Sequence, residues 1–246
     1  MTIPDIFLGE DVRYKDMIAS REELEGAALR YGMLPFFANR IEGFSVEEMA
    51  APGMLFGETR DDYGCWEWKG PVILQQTTAY GKFFNRKAGF VSLELLPDFI
   101  NYRRSAYPVK PDSTEQMILD IIRENEGLTS TELKRLIFGS PSRKRKPGDL
   151  VDTMESVKPK RHSLEGPLQR LQMGGRLLIA DFEYKYTAKG ERYGWGVALY
   201  STPEIWFERT FDLPDRTPAE SFDRFVDTLS SRLPGVSRQL IADLLR

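Results

Sequence analysis

The sequence predicts an α+β protein that is mostly α-helical and carries short β-hairpins. Two observations support this class. Several segments repeat apolar residues at helical spacing and begin with residues that cap helices. Two strand-like segments, RLLIADFEYKYT and YGWGVALYST, are separated by a short turn that contains glycine. With 41% apolar residues in a chain of 246, the protein has enough apolar material for a buried core.

The first part of the chain, residues 1–110, is predicted to form an α-rich N-terminal domain. Two helices are expected to begin at capping boxes, in which a serine is followed three residues later by a glutamate. The segment SLELLPDFINYRR, from Ser92, is also expected to be helical, with Pro97 tolerated if it lies in the first turn. Residues 52–73, which are rich in glycine and aromatic residues, are predicted to be loop and short strands. The two capping boxes are Ser20 with Glu23 and Ser45 with Glu48.

Residues 111–201 are predicted to form a second domain. Asp112 with Glu115 and Thr129 with Glu132 would cap its first two helices. A third helix, SLEGPLQRLQMGG, precedes the two strand segments. Three helices followed by a hairpin are the element order of winged helix-turn-helix units with short β-hairpin wings. In such a unit the third helix enters the major groove of DNA, and the hairpin lies beside it.

Residues 202–246 are predicted to form C-terminal helices that pack on the body of the protein. One helix begins at Pro218 and the last begins at Ser237. Apolar residues at helical spacing form one stripe along the helix from Pro218, and such a stripe is typical of a core or docking surface. The stripe consists of Phe222, Phe225, Val226, Leu229 and Leu233.

Charge is distributed unevenly along the chain, whose net charge is −3. Residues 140–195 carry 12 Lys and Arg against 7 Asp and Glu, whereas the remaining residues carry 22 against 30. A basic segment on an acidic body indicates an anionic partner that approaches from one side. The loop of residues 140–162 contains a basic block, which is either a solvated loop or a set of phosphate contacts. The basic block consists of Arg143, Lys144, Arg145 and Lys146.

Several classes of protein are not supported by the sequence. The N-terminal MTIPDIFLGED lacks the features of a secretory signal, and no apolar run reaches the ~20 residues that span a bilayer. A single cysteine, Cys65, fits a reducing compartment. A single histidine, His162, leaves no multi-histidine metal site, and neither a Walker A motif nor GxGxxG occurs. We therefore expect a cytoplasmic protein without metal, cofactor or membrane partner.

The predicted winged helix-turn-helix unit offers polar side chains for contacts with DNA. In the third helix these would be Gln169 and Arg170, and in the wing Lys189 and Arg192. Contacts of basic residues with phosphates position a protein and make binding depend on salt, but they read no sequence. Winged helices also bind proteins, and a glycine and a proline make this third helix a poor base-reading surface.

A second candidate site is the aromatic and basic segment of residues 64–90, which contains CWEWKGPVILQQTTAYGKFFNRKAGF. Flat rings beside cations suit a stacked base and its phosphates. Glu67, between two tryptophans, is the candidate for activating water, with Gln75 or Gln76 orienting it. The alternative is an aromatic core edged by the aliphatic stems of Lys and Arg. The candidate binding residues are Trp66, Trp68, Lys69, Lys82, Asn85, Arg86 and Lys87.

Residues 80–104, YGKFFNRKAGFVSLELLPDFINYRR, resemble a segment of the AlkZ/YcaQ winged-helix DNA glycosylases. The order of EGLTSTEL, LQMGGRLLIADF and GVALYSTPE after it is also similar. The resemblance covers residues 64–207, and it is closest to the AlkZ-related branch of that family. It implies tandem winged-helix units around a basic DNA channel, and a DNA repair activity that excises alkylated or crosslinked bases. The implied partner is DNA.

The catalytic motif of that family, Gln-x-Gln or Gln-x-Asp, is missing from this sequence. Gln75 and Gln76 are adjacent, so their spacing is wrong. A glycosylase-like protein that binds DNA is therefore the leading hypothesis, with catalysis left open. The alternative is a non-catalytic winged-helix module for transcription-type DNA binding or for protein interaction. A hydrolase that acts on a small molecule in an aromatic pocket is a third hypothesis.

Overall fold

The computed structural model describes residues 17–57, 63–139, 163–190, 192–213 and 215–245 of the chain. These residues form ten helices and two antiparallel sheets of three strands each, so the predicted α+β class is confirmed. Their longest helix has 15 residues, and within these ranges no helix combines the length and the apolar character needed to span a bilayer.

The N-terminal part of the chain alternates helices with the strands of one sheet. The side chains of Ser20 and Ser45 accept hydrogen bonds from the backbone N–H groups three residues later, which confirms both predicted helix starts. The helix that contains Pro97 is also confirmed, with the proline in its first turn, but it begins at Leu96 and Ser92 is the last residue of a strand. The elements are α1 (Arg21–Tyr31), β1 (Met33–Pro35), α2 (Val46–Met49), α3 (Cys65–Leu74), β2 (Thr78–Phe84), β3 (Lys87–Ser92) and α4 (Leu96–Ala106).

The first sheet has the strand order β1-β3-β2, and both of its strand pairs are antiparallel. A turn of two residues, Asn85 and Arg86, joins β2 to β3, and Phe84 pairs with Lys87 across it. Both turn residues have positive φ angles, 45° and 66°, as type I′ hairpin turns require. The turn presents its two polar side chains at an exposed tip of the hairpin.

The prediction of loop and short strands is wrong for the second part of residues 52–73, which forms helix α3. Gly70 and Pro71 lie inside this helix and concealed its periodicity, because both residues disfavour helix interiors. The side chains of Trp66, Glu67 and Trp68 therefore fan around a helix axis instead of alternating across a strand. Four side chains at helical spacing are buried on one face: Cys65, Lys69, Val72 and Ile73.

The middle part of the chain has the predicted order of three helices and a hairpin, with one additional short strand. The second sheet has the strand order β4-β6-β5 and is antiparallel. Strand β4 is added to the edge of the hairpin, where Leu128 pairs with Tyr200. The elements are α5 (Thr114–Glu124), β4 (Leu128–Thr129), α6 (Ser130–Phe138), α7 (Glu165–Met173), β5 (Leu178–Tyr186) and β6 (Arg192–Ser201).

One of the two helix starts predicted in this part is confirmed and the other is displaced. Thr129 and Glu132 form a reciprocal capping box at the start of α6. At the start of α5 the predicted role of Asp112 is wrong, because Ser113 is the capping residue and accepts a hydrogen bond from Gln116. Ser113 has the extended backbone that a cap requires, whereas Asp112 has a φ of 56°.

The C-terminal part consists of α8 (Pro203–Trp206), α9 (Pro218–Arg232) and α10 (Arg238–Leu245). The predicted apolar stripe of α9 is buried, with Phe222 partly buried at its edge. Asp98 of α4 is 4% exposed and pairs with Arg216 at 2.5 Å and with Arg224 at 3.3 Å. These ion pairs and the stripe join α9 to α4.

Two apolar clusters fill the interior. The larger one lies among α1 to α4, the first sheet, α9 and α10, and it includes Leu178, Ile179 and Ala180 from the base of β5. The smaller one lies among α5, α6 and α7. Tyr200 of β6 packs against both clusters, so the second sheet connects them. The division of the chain at residues 110 and 201 stays a prediction.

Candidate functional site

The candidate site lies where α3 meets the β5–β6 hairpin, and its centre is the carboxylate of Glu67. The Tyr184 hydroxyl donates a hydrogen bond of 2.9 Å to Oε2 of this carboxylate. The Arg192 guanidinium lies 2.7 Å from Oε1. The guanidinium also stacks 3.9 Å from the centroid of the Tyr184 ring. One residue of α3 is thus bound to both strands of the hairpin.

These contacts shift the protonation equilibria of the two hairpin residues. Burial and the hydrogen bond to Glu67 raise the pKa of the Tyr184 hydroxyl well above its usual range. Burial acts to lower the pKa of Arg192, but the Glu67 carboxylate outweighs it and the net shift is upward. Tyr184 therefore stays a donor and Arg192 a cation across the physiological pH range.

Lys69 follows Glu67 by two residues in α3 and is buried, with 3% of its surface exposed. Its Nζ donates a hydrogen bond to the backbone carbonyl of Trp66. The same atom lies 3.8 Å from the centroid of the Trp66 ring and 4.6 Å from that of Phe182. Burial lowers the pKa of Lys69 to about 8, with the nearby Arg192 adding to the shift and Glu67 opposing it.

Exposed rings surround Trp66 on the outside of the protein. Trp195 of β6 is 70% exposed and contacts Trp66 edge-on, with ring centroids 5.7 Å apart. Phe56 is 58% exposed, and its centroid lies 6.0 Å from that of Trp66. Tyr63 is exposed and lies beside Arg192. We call Phe56, Tyr63, Trp66 and Trp195 the aromatic surface. Exposed large rings grouped in this way are typical of a binding site.

The β2–β3 turn lies against α7. Lys87 is exposed, and its Nζ donates 2.8 Å to the carbonyl of Ala38. The carbonyl of Arg86 accepts a hydrogen bond of 3.4 Å from the Gln169 side chain. Lys82 is half-buried, and its backbone N–H donates a hydrogen bond to the Gln172 side chain. The tip of this hairpin is basic, since Arg86 and Lys87 are exposed there beside the exposed Asn85.

The polar side chains of helix α7 bind other groups of the protein. Gln169 binds the β2–β3 turn, and Arg170 forms an ion pair with Glu115 of α5. Gln172 is buried and donates to the carbonyl of Leu168. Base reading by Gln169 and Arg170 would require both side chains to exchange these partners for base edges.

The three residues predicted to carry catalysis do not come together. Glu67 lies in the first turn of α3, whereas Gln75 is the residue that ends this helix and Gln76 follows it. A rise of 1.5 Å per residue separates Glu67 from Gln75 by about 12 Å along the axis. The Gln76 side chain donates to the carbonyl of Trp206 at 2.6 Å. Trp68 is partly buried against the larger core.

Other predicted residues lie on the hairpin or outside the described ranges. Lys189 is exposed in the turn between β5 and β6. The basic block lies outside the described residues, as does the whole predicted loop of residues 140–162. Among the residues that the structure describes, no three His, Cys, Asp or Glu side chains are grouped as a metal ion would need.

Sequence reasoning missed four residues of the site: Phe56, Tyr63, Tyr184 and Trp195. For Tyr184 and Trp195 the sequence does contain a signal, which is the pair of glycines on either side of Trp195. A Cβ atom added to Gly196 would lie 2.8 Å from the Tyr184 ring, so glycine leaves the space that this ring occupies. A tryptophan between two glycines in a strand pattern indicates close approach of another group.

The fold and the site define an α+β protein with an aromatic surface where a helix meets a β-hairpin. The chain belongs to the AlkZ-related family, whose family model matches residues 18–246. This match confirms the predicted relationship to the AlkZ-related branch. No curated protein and no solved structure matches the chain significantly.

Proposed function

We propose that this protein binds DNA and is related in function to DNA glycosylases. In this proposal, residues 111–201 form a winged-helix domain that follows an N-terminal domain of residues 1–110. The order α5, β4, α6, α7, β5, β6 and the sheet order β4-β6-β5 support a winged helix, because they place a hairpin after the third helix. Membership of the AlkZ-related family supports the relationship to glycosylases.

The aromatic surface is the observation that carries the proposal. Rings that lie exposed beside a cation stack on unpaired bases with little preference for sequence. Trp195 lies on the hairpin that acts as the wing, and Lys185 and Lys189 are exposed on the same hairpin. The wing would follow the phosphates through these lysines while the aromatic surface holds a base that has left the stack.

DNA recognition by this protein would respond to structure more than to sequence. The side chains of α7 that would read base edges already bind Arg86 and Glu115 within the protein. Bases that are mismatched or damaged leave the stack at lower cost than paired bases. We therefore propose preferential binding to duplexes with a disrupted base pair. Alkylated and crosslinked bases are lesions of this kind.

A non-catalytic module is the second candidate function. Both carboxylate oxygens of Glu67 already have partners in Tyr184 and Arg192. Gln75 and Gln76 lie at the other end of α3, about 12 Å along the helix axis from Glu67. These observations favour binding without excision, whereas the family favours excision. The assignment of catalysis to Glu67, Gln75 and Gln76 stays a prediction.

Fluorescence anisotropy of labelled duplexes, measured against salt concentration, tests the DNA proposal. Binding should weaken steeply with salt and should be tighter for a duplex with one mismatched or abasic site. Changing the basic block to glutamines should make the salt dependence shallower, since each lost phosphate contact lowers the slope by about 0.9. Absence of binding at low salt would contradict the proposal and leave a protein-interaction module.

A control variant removes the same charge from other exposed positions. It should keep the slope of the unmodified protein, because its changes lie outside the proposed interface. Equal slopes in the basic-block variant and this control would assign binding to overall charge. The control changes Arg21, Lys110, Arg209 and Arg238 to glutamine.

A further inference from the structure

The buried amine of Lys69 has no role in the function proposed above. A charged amine is costly to bury unless it is paired with an anion. Among the described residues, no carboxylate lies within ion-pair distance of its Nζ, which contacts one carbonyl and two ring faces. A methionine would fill the same space without this cost. The structure thus holds an amine at a place where packing alone does not require one.

The environment of Lys69 favours a nucleophilic amine. Burial lowers the pKa of Lys69 to about 8, so Lys69 is a neutral amine in about a tenth of the protein molecules at pH 7. An ordinary lysine has far less neutral amine at this pH. Desolvation in an apolar site and a neighbouring cation, here Arg192, are the conditions that activate a lysine towards carbonyl compounds.

The position of Lys69 connects it to the aromatic surface. Its Nζ lies 3.8 Å from the centre of the Trp66 ring, and Trp66 is the residue around which the exposed rings are arranged. The amine is therefore one side chain below the place where a displaced nucleotide would stack. A shift of the Trp66 ring or of Phe182 would open the path between them.

We propose that Lys69 forms an imine with the aldehyde of an abasic-site sugar in DNA held at the aromatic surface. This inference rests on the DNA binding proposed above. The Nζ lone pair forms a bond to C1′ of the ring-opened sugar. The amine gives up its two protons, and the carbonyl oxygen leaves with them as water. No electrons are transferred, and hydrolysis returns the free amine and the aldehyde.

Reduction with borohydride tests this proposal, because it converts an imine into a stable secondary amine. The full chain is mixed with a duplex that carries one abasic site, reduced, and analysed on a denaturing gel. The adduct should map to Lys69 by mass spectrometry of the digested protein. Lys69→Arg and Lys69→Met should lower its yield at least about tenfold. Lys134→Arg, which changes an exposed lysine of α6, should leave the yield unchanged.

Anisotropy with the same abasic-site duplex separates the two proposals. Binding without an adduct, or an adduct that maps to another residue, would overturn the role of Lys69 and leave DNA binding intact. Absence of binding would overturn the proposed function, and the imine proposal would fall with it. Using both an arginine and a methionine variant guards against a folding defect, because one keeps the charge and the other the apolar packing.

Discussion

Glu67 and Tyr184 are 117 residues apart in the sequence, yet the tyrosine hydroxyl donates a hydrogen bond of 2.9 Å to the glutamate carboxylate. This bond fixes the hairpin to α3, because Tyr184 belongs to β5 and the second partner of the carboxylate, Arg192, belongs to β6. The exposed ring of Trp195 reaches Trp66 only when the hairpin lies in this position. The pairing of Glu67 therefore contributes to the position of Trp195 beside Trp66, together with the packing of the base of β5 in the larger core.

The change Glu67→Gln should destabilise the protein by roughly 1–2 kcal/mol, because it removes a partly buried partner of Arg192. The side chains of this pair are 15% and 27% exposed. Urea unfolding followed by circular dichroism measures the change. The control Glu94→Gln breaks a pair whose carboxylate is 59% exposed, and it should cost less than about 0.5 kcal/mol. Equal losses for the two variants would contradict the structural role of Glu67.

The same variant tests the catalytic assignment. If Glu67 activates water, Glu67→Gln should abolish release of an alkylated base while DNA affinity stays within about threefold, because the amide cannot accept a proton. Single-turnover excision assays, run well below the melting temperature of the variant, give the rate. Equal rates in the variant and the unmodified protein would remove Glu67 from the mechanism. Absence of excision in both would favour the non-catalytic module.

Local patterns predicted much of the fold. The capping serines and Thr129 determine helix starts through contacts with residues only three positions away, and such contacts are visible in a sequence. The two strand segments of the β5–β6 hairpin and the glycine-containing turn between them were equally clear. Helix α3 was missed because Gly70 and Pro71 interrupt its period, and burial against the hairpin outweighs their low helix propensity.

The site was less predictable than the fold. Trp66, Glu67 and Lys69 were named from composition, but their roles depend on partners more than 110 residues away in β5 and β6. No local pattern specifies such contacts. Gln75 and Gln76 were grouped with Glu67 because they are close in the sequence, and a helix separates them by its length.

Lys69→Met should raise the free energy of unfolding at pH 7 by roughly 1–3 kcal/mol, because it removes a buried charge without an anionic partner. The pKa of Lys69 is about 8 in the folded protein and about 10.5 when it is unperturbed. Between these values the unfolded chain binds more protons, so the stability of the unmodified protein should rise with pH. The advantage of the variant should therefore shrink between pH 8 and 10.5.

Urea unfolding of both proteins at pH 7 and at pH 10 measures this effect as a difference, so that other titrating groups cancel. Glu67 and Arg192 are the charged residues that act on Lys69 and are unchanged in the variant. A difference that does not vary with pH would mean that Lys69 has an ordinary pKa in the folded protein.

Trp195→Ala should weaken binding to a mismatched duplex by about 1–3 kcal/mol, the contribution of one base stacked on a ring. Stability should change little, because the side chain is 70% exposed. Anisotropy titration and thermal melting report the two quantities. Leu74→Ala is the control, since Leu74 is an exposed apolar residue at the other end of α3. Equal affinities for the two variants would exclude the aromatic surface from the interface.

Gly196→Ala should destabilise the hairpin contact, because the added Cβ would lie 2.8 Å from Cε1 and 2.9 Å from Cζ of Tyr184. The ring must move, and its hydroxyl then leaves Glu67. We expect a loss of roughly 1–3 kcal/mol in urea unfolding. Gly26→Ala in α1 is the matched control, since no atom apart from its chain neighbours and its own helix backbone lies within 4 Å of its added Cβ. That change should stabilise the protein by about 0.5–1 kcal/mol, because alanine favours helices. Stabilisation by both changes would show that Tyr184 is not confined by Gly196.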